Sequence, residues 1–211
     1  MTTVVDKRAQ DSEAILFICD FSPPRNGNPE LLEPALSIGA DFISVAYNPG
    51  KSPRANSALA AAWIKRQTGA DVLFTLATRD LNKLATQGIL FGAQLFGLDN
   101  VVVVKGDDFS TKDLTSVRPV HDFTPSGLIR SVTNMNQGRD FRGRKFAATT
   151  MICPGAVIDF SHCLPHQIRL SRRKVESGAQ FFLSQPLFNV HILDKFLGEY
   201  KSQYEKSFDT P

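Results

Sequence analysis

The sequence predicts a parallel α/β protein, built from repeated strand–helix units and curled into a TIM-type barrel. Three observations carry that expectation. Short apolar runs alternate with longer helical stretches along the chain. Gly39, Gly69, Gly97 and Gly178 each follow a helical stretch and precede an apolar run, where a chain needs a left-handed capping residue. The first apolar run continues into CDFSPPRNGN, and no G-x-G-x-x-G occurs anywhere, although an open dinucleotide-binding sheet carries that signature after its first strand.

Six strands are expected, at Ala14–Cys19, Asp41–Ala46, Asp71–Ala77, Asn100–Val104, Lys145–Ile152 and Gln180–Ser184. Several are apolar on both faces (ILFIC, DFISVA, VVVV), the pattern of buried parallel strands. Helices are expected at Pro29–Ile38, Asn56–Thr68, Asp80–Phe96, Thr124–Gln137, His166–Ser177 and Val190–Tyr204. Leu84, Ile89, Ala93 and Phe96 repeat at helical spacing. Strand starts recur at roughly 33 residues, so eight units need about 265. The 211 residues hold six. The expectation is one incomplete barrel domain over 1–211, with 1–13 a flexible N-terminus. Unpaired edge strands are normally covered, so a homo-oligomer or a partner chain completing the barrel is expected.

Charge and composition exclude several classes. The net charge is +3, from 24 basic and 21 acidic side chains, without the clustered basic excess of a nucleic-acid binder. Arg169, Arg172, Arg173 and Lys174 read as a solvated helix face. No apolar run approaches the ~18 residues of a membrane span. MTTVVDKRAQDSE lacks the apolar core of a signal peptide, so the expected compartment is the cytoplasm. Cys19, Cys153 and Cys163 are odd in number and widely spaced, which speaks against a zinc knuckle or a disulfide framework. His162 and His166 lie four apart without a third ligand nearby, so no metal site is expected.

The active face of a barrel lies at the C-terminal ends of its strands. Those positions read Asp20, Pro23 and Pro24; Tyr47, Asn48 and Pro49; Thr75, Thr78, Arg79 and Asp80; Lys105, Gly106, Asp107 and Asp108; Cys153 and Pro154; Gln185 and Pro186. Asp20 is either a turn cap or a carboxyl whose pKa is raised at an apolar mouth, fit for general acid work. Gly106-Asp107 is either an ordinary turn or a close backbone approach to a flat ligand, with Asp107 bonding to it. Arg79-Asp80 reads as a helix start with Asp80 at the N-cap. Gln185 ends a buried strand, where its amide needs partners that a heterocycle supplies.

At these strand ends the chain resembles the methylenetetrahydrofolate reductase family, in particular the reductase module fused to homocysteine methyltransferases. DFSPP (Asp20–Pro24) resembles the family's acid-x-x-Pro-Pro. The other matching stretches are DFISVAYNPGKSPRANSALAAAWIKRQTG, ATRDLNKLATQGILFGAQLFGLDNVVVVKGDD, VHDFTPSGLIRSV and RLSRRKVESGAQFFLSQPLFNV. Together they run from about Ile15 to Val190, and their order makes the set specific.

The resemblance implies a flavin (FAD) enzyme that reduces 5,10-methylenetetrahydrofolate to 5-methyltetrahydrofolate. It makes Asp20 the general acid toward folate N10 and Asp107 the aspartate beside flavin and pterin, with Gln185 and Asn48 on the folate. It makes Tyr47, Thr75, Val104, Lys105, Gly106, Asp107 and Cys153 flavin contacts, with Lys174 at the flavin phosphates. Asp20 replaces a usual glutamate, and Thr75 stands where many members have histidine. The strand-five end, TTMICPGAVIDFSHC, lacks the Tyr-Pro-Glu-x-His-Pro pattern of one branch. An alternative of another class is a non-catalytic barrel that binds a pterin or a partner protein.

Overall fold

Six parallel strands lie side by side in sequence order in one curled sheet: β1 (Ile18–Phe21), β2 (Phe42–Val45), β3 (Val72–Ala77), β4 (Asn100–Val104), β5 (Cys153–Ile158) and β6 (Phe181–Ser184). The computed structural model describes residues 2–11, 13 and 15–211. Ala14, the expected start of strand one, and Met1 and Ser12 of the N-terminal stretch lie outside them. The helices are α1 (Val4–Gln10), α2 (Ser57–Thr68), α3 (Lys83–Leu95), α4 (Pro125–Asn136), α5 (Leu164–Glu176) and α6 (His191–Tyr204). The expected incomplete (βα) barrel is what forms: among the described residues, β1 and β6 each pair with one neighbouring strand.

The strand period of two sorts side chains into two layers. Ile43, Val45, Phe74, Leu76, Val101 and Val103 face outward and bury against Ala61, Ile64, Leu90, Leu128 and Val132 of the helices. Phe42, Leu73, Val102, Cys153 and Phe181 face inward and pack together with Val4. Both faces are thus apolar, which explains the continuous rather than alternating hydrophobic runs.

Helix starts follow side-chain chemistry. Asn56, Asn82 and Thr124 cap α2, α3 and α4 by accepting backbone N–H groups. Gly69, Gly97 and Gly178 take positive φ after their helices, whereas Gly39 does not. The segment before Gly39, Pro29–Ser37, is a 3-10 run with Pro34 inside it, and a mid-helix proline cannot sustain α-helical hydrogen bonding.

Several expectations need correction. Residues 1–13 are not simply a loose N-terminus: Val4–Gln10 is a helix with a Thr3–Asp6 capping box. Val4 is buried under the inner layer, and its N–H donates to Asn100 Oδ1 at 2.9 Å. Lys145–Ile152 is a loop, and β5 begins only at Cys153. That loop is held by Asn136, which donates to the Ile152 carbonyl and accepts from Ile152 N–H and Thr150 Oγ1.

Past α6 the chain returns to the free edge of β6, where Phe182 N–H donates to the Pro211 carbonyl at 2.7 Å. Phe208 there closes an aromatic cluster with Phe182, Phe196 and Tyr200.

Candidate active site

The C-terminal half of the inner face forms a trough of about 680 Å³, to which every strand contributes. Its floor and far wall are apolar: Ile18, Val102, Val104, Val157 and Leu183. Asp20, Ser44, Thr75, Tyr47 and Gln185 supply polar groups around that surface. Pockets of this size, mostly apolar with a few convergent polar groups, suit flat organic ligands.

Asp20 is the third residue of β1 and lies in register with Ser44 of β2. Its carboxyl is reachable from the open side of the trough, yet the surrounding protein removes enough water to raise its pKa. A hydrogen bond from Ser44 works in the opposite direction but does not cancel the rise. Asp20 therefore holds a proton more readily than an ordinary aspartate. Tyr47 closes the β2 side. Burial, then the adjacent negative charge of Asp80, pushes its phenol up to about 12, so it is a neutral hydroxyl at physiological pH.

Of the residues singled out from sequence, Asp20, Tyr47, Thr75, Val104 and Gln185 meet in the trough. Asn48, Lys105, Gly106 and Asp107 stand on the loops after β2 and β4. Asn48 sits in the left-handed region, and its Oδ1 accepts the Arg54 N–H at 3.0 Å. Lys105 pairs with Asp108 at 2.7 Å. Gly106 has φ +85°, and an added Cβ would lie 3.2 Å from both Ala77 Cβ and Arg79 Cβ, so glycine lets the β4 loop press onto β3. Asp107 turns its side chain to solvent while its carbonyl accepts from Arg79.

Lys174 lies behind the wall. It is buried, and its ammonium donates to the Val157 carbonyl at 2.5 Å; burial lowers its pKa to about 8. Cys153 is a correction: it opens β5 instead of ending it, so it lies at the opposite end of the sheet from the trough. There it borders a hollow with Val5 and Pro211, and burial pushes its thiol up to about 12. Asp80 is a second correction. Asn82 caps α3, and Asp80 pairs with Arg79.

Sequence reasoning missed Ser44, Val157 and Leu183 as trough residues. The inward alternation of DFISV and CPGAVI marks the first two once the strands are correctly bounded. Among the described residues, no group of three or more His, Cys, Asp or Glu is close enough to hold a metal ion, and no helix is long and apolar enough to cross a membrane.

The family model for methylenetetrahydrofolate reductase matches residues 5–207. The chain belongs to the methylenetetrahydrofolate reductase family. A curated relative, a probable methylenetetrahydrofolate reductase (NADPH) of Caenorhabditis elegans, is 24% identical over 204 residues, covering 90% of this chain. The chain spans 29% of that protein's length. Among solved structures, 2,3-dimethylmalate lyase, a member of the PEP mutase/isocitrate lyase superfamily, aligns with TM-score 0.60 at 13% identity, over 94% of this chain and 67% of that one. A putative lyase/mutase from Burkholderia cenocepacia aligns with TM-score 0.55 at 12% identity, over 92% and 68%. At such identities these likenesses speak to the fold alone.

Proposed function

We propose that this chain is the flavin- and folate-binding barrel domain of a methylenetetrahydrofolate reductase-type oxidoreductase, acting on 5,10-methylenetetrahydrofolate. The observation that carries the reading is the placement of Asp20. A carboxyl with a raised pKa faces an apolar trough that also holds the amide of Gln185, in a chain whose family reduces a pterin-linked methylene group.

The trough fits FAD's ring system. It has flat apolar walls at Val102, Val104 and Val157, with hydrogen-bonding groups at Thr75 and Tyr47 along one side. The tight β4 turn at Gly106 leaves no room for a Cβ without displacing Ala77 or Arg79, which keeps the backbone of Lys105 to Asp107 close to the mouth. When bound, the flavin supplies the hydride for the methylene carbon. The chain does the rest. Thr75, Val104 and the Lys105–Asp107 turn orient the ring, and Tyr47 offers a neutral hydroxyl. Gln185 and Asn48 bind folate, and the solvent-facing carboxylate of Asp107 turns inward from the rim to the pterin on binding. Asp20 holds a proton at its carboxyl and delivers it to folate N10 as the five-membered ring opens. Lys174 contributes positive charge from behind Val157 rather than direct contact.

A second reading, a pterin-binding or partner-binding module without turnover, draws on β1 and β6, each of which pairs with only one other strand among the described residues. One experiment separates the two. The purified protein is loaded with FAD, freed of excess, and mixed anaerobically with 5-methyltetrahydrofolate, which runs the folate half-reaction in reverse without an electron donor. Bleaching of a retained flavin band, slowed in Asp20→Asn, supports the reductase. Pterin binding without bleaching supports the module. Retention of neither flavin nor folate sinks both.

A further inference from the structure

We propose that Arg79 is a positioning residue of this site, clamping the loop after β4 onto the end of β3 as one rigid rim over the trough. This rests on the reading of the trough as the flavin and folate site.

Arg79 follows β3 at the mouth and is only 4% exposed. Its Nε and Nη2 donate to the two carboxylate oxygens of Asp80 at 2.6 and 2.8 Å. Its Nη1 donates to the Asp107 carbonyl at 2.7 Å, and its guanidinium lies 4.3 Å from the Phe109 ring centre. Its backbone joins the same loop: its N–H donates to the Lys105 carbonyl at 3.1 Å, and its carbonyl accepts from Val120 N–H at 2.7 Å. Thus one residue ties the end of β3 to 105, 107, 109 and 120.

The Asp80 carboxylate that Arg79 holds also faces toward β2, where its negative charge adds to burial in raising the Tyr47 phenol. The loop that leaves the trough at Val104 therefore has its course fixed by a single buried fork. The sheet below is already held by its strand ladder, so the guanidinium is not needed for β3–β4 pairing. Each partner that its side chain holds belongs to the rim. Only arginine offers this planar set of donors; lysine keeps the charge but not the fork. Catalytic geometry is sensitive to ångström-scale displacement of such supports.

The test uses the full chain with Arg79→Lys and Asp80→Asn. Both variants are expected to fold with a lowered thermal midpoint, because each disturbs a buried ion pair, and the readouts are taken well below it. In Arg79→Lys, amide hydrogen exchange at 105–109 and 120 is expected to quicken, and the Kd for FAD to rise about tenfold, the loss of one or two charge-assisted hydrogen bonds. In Asp80→Asn, the ultraviolet titration of Tyr47, identified by its loss in Tyr47→Phe, is expected to move down from about 12, because a neighbouring negative charge is gone. Loop exchange and FAD affinity unchanged in Arg79→Lys would mean that the arginine does not position the rim, and that result overturns the proposal. If the wild-type chain fails to bind FAD, the reading of the trough falls, while loop exchange in Arg79→Lys still decides the clamp.

Discussion

A single methyl group at Gly155 tests whether the trough rests on the packing described here. Gly155 faces inward on β5, paired with Val102 of β4 and Phe181 of β6. An added Cβ would lie 2.7 Å from Phe181 Cε1 and nearer still to Cε2 and Cζ, distances that no packed structure tolerates. The ring has little room to yield. Phe181 is 1% exposed and packs with Val4, Phe42, Leu73, Val102 and Cys153. If the ring leaves, its burial, about 1.5–3 kcal/mol, is lost. If it stays, β5 shifts against two ladders, and overpacking of this kind costs about 1–3 kcal/mol. Gly155→Ala is therefore expected to destabilise the fold by about 2–3 kcal/mol, lowering the thermal midpoint by about 5–10 °C for a chain of this size. Urea unfolding followed by circular dichroism measures the change, and an unaltered slope assigns it to the native state. Flavin retention should fall in parallel, because the ring's way out leads up toward Val157 and Leu183. Phe181→Leu in the Gly155→Ala background should restore part of the loss, since the two sites share one contact. A Gly155→Ala protein as stable as the parent would refute the packing of the inner layer.

Asp20→Asn should slow flavin bleaching by about a hundredfold or more, because the carboxyl that gives N10 its proton in the forward direction must take it back in reverse. It should not weaken the fold at neutral pH. The raised pKa of Asp20 means its ionised form is disfavoured in the native state, a penalty that sets in as pH rises from the ordinary carboxylate range through the folded value; the amide removes it. Lys174 gives the mirror case. With its pKa lowered to about 8 from 10.5, stability should rise between pH 8 and 10.5, where the unfolded chain still binds the proton. That slope should flatten in Lys174→Met, as measured by urea unfolding across the alkaline range. Phe208→Ala should cost about 2 kcal/mol, because the ring lies 5.0–5.3 Å from Phe182, Phe196 and Tyr200; an unchanged urea midpoint would mean that the tail does not pack on α6.

How much of this was legible in the sequence depended on which residues broke the local rules. The barrel class, the strand order and the neighbourhood of Asp20, Tyr47, Thr75 and Gln185 follow from apolar runs and capping glycines, because strand ends in a parallel sheet converge by topology, whereas Val104 was marked only by the family resemblance. Strand five was not legible. KFAATTMI carries more strand-like residues than CPGAVI, and a Pro-Gly pair reads as a turn. Tertiary packing reverses that preference. Pro154 sits at the second position of β5, and Gly155 is there because Phe181 occupies the space of a side chain. The misplacement carried Cys153 from one end of the sheet to the other. Arg79 was visible as a residue but not as a clamp. Its partners lie up to forty-one positions away, at Asp107 and Val120, and no local pattern announces a long-range fork.

Asp20 shows the same conflict resolved in favour of function. Aspartate is a poor strand former, so the first strand read naturally as ending at Cys19. The structure carries β1 on to Phe21 because Asp20 does not enter a closed core. Its carboxyl faces a trough open on one side and lies opposite Ser44 in register. A carboxylate is tolerable in a strand where water reaches it, and its pKa rises where the walls exclude part of that water. Both conditions hold at this position and for the same reason: β1 is an edge of a curled sheet. The direction of the acid is therefore fixed by the pairing of β1 with β2, not by a mobile loop. In the proposed reaction, an acid in this position gains its orientation from the register of two strands, while its proton affinity comes from the burial around it.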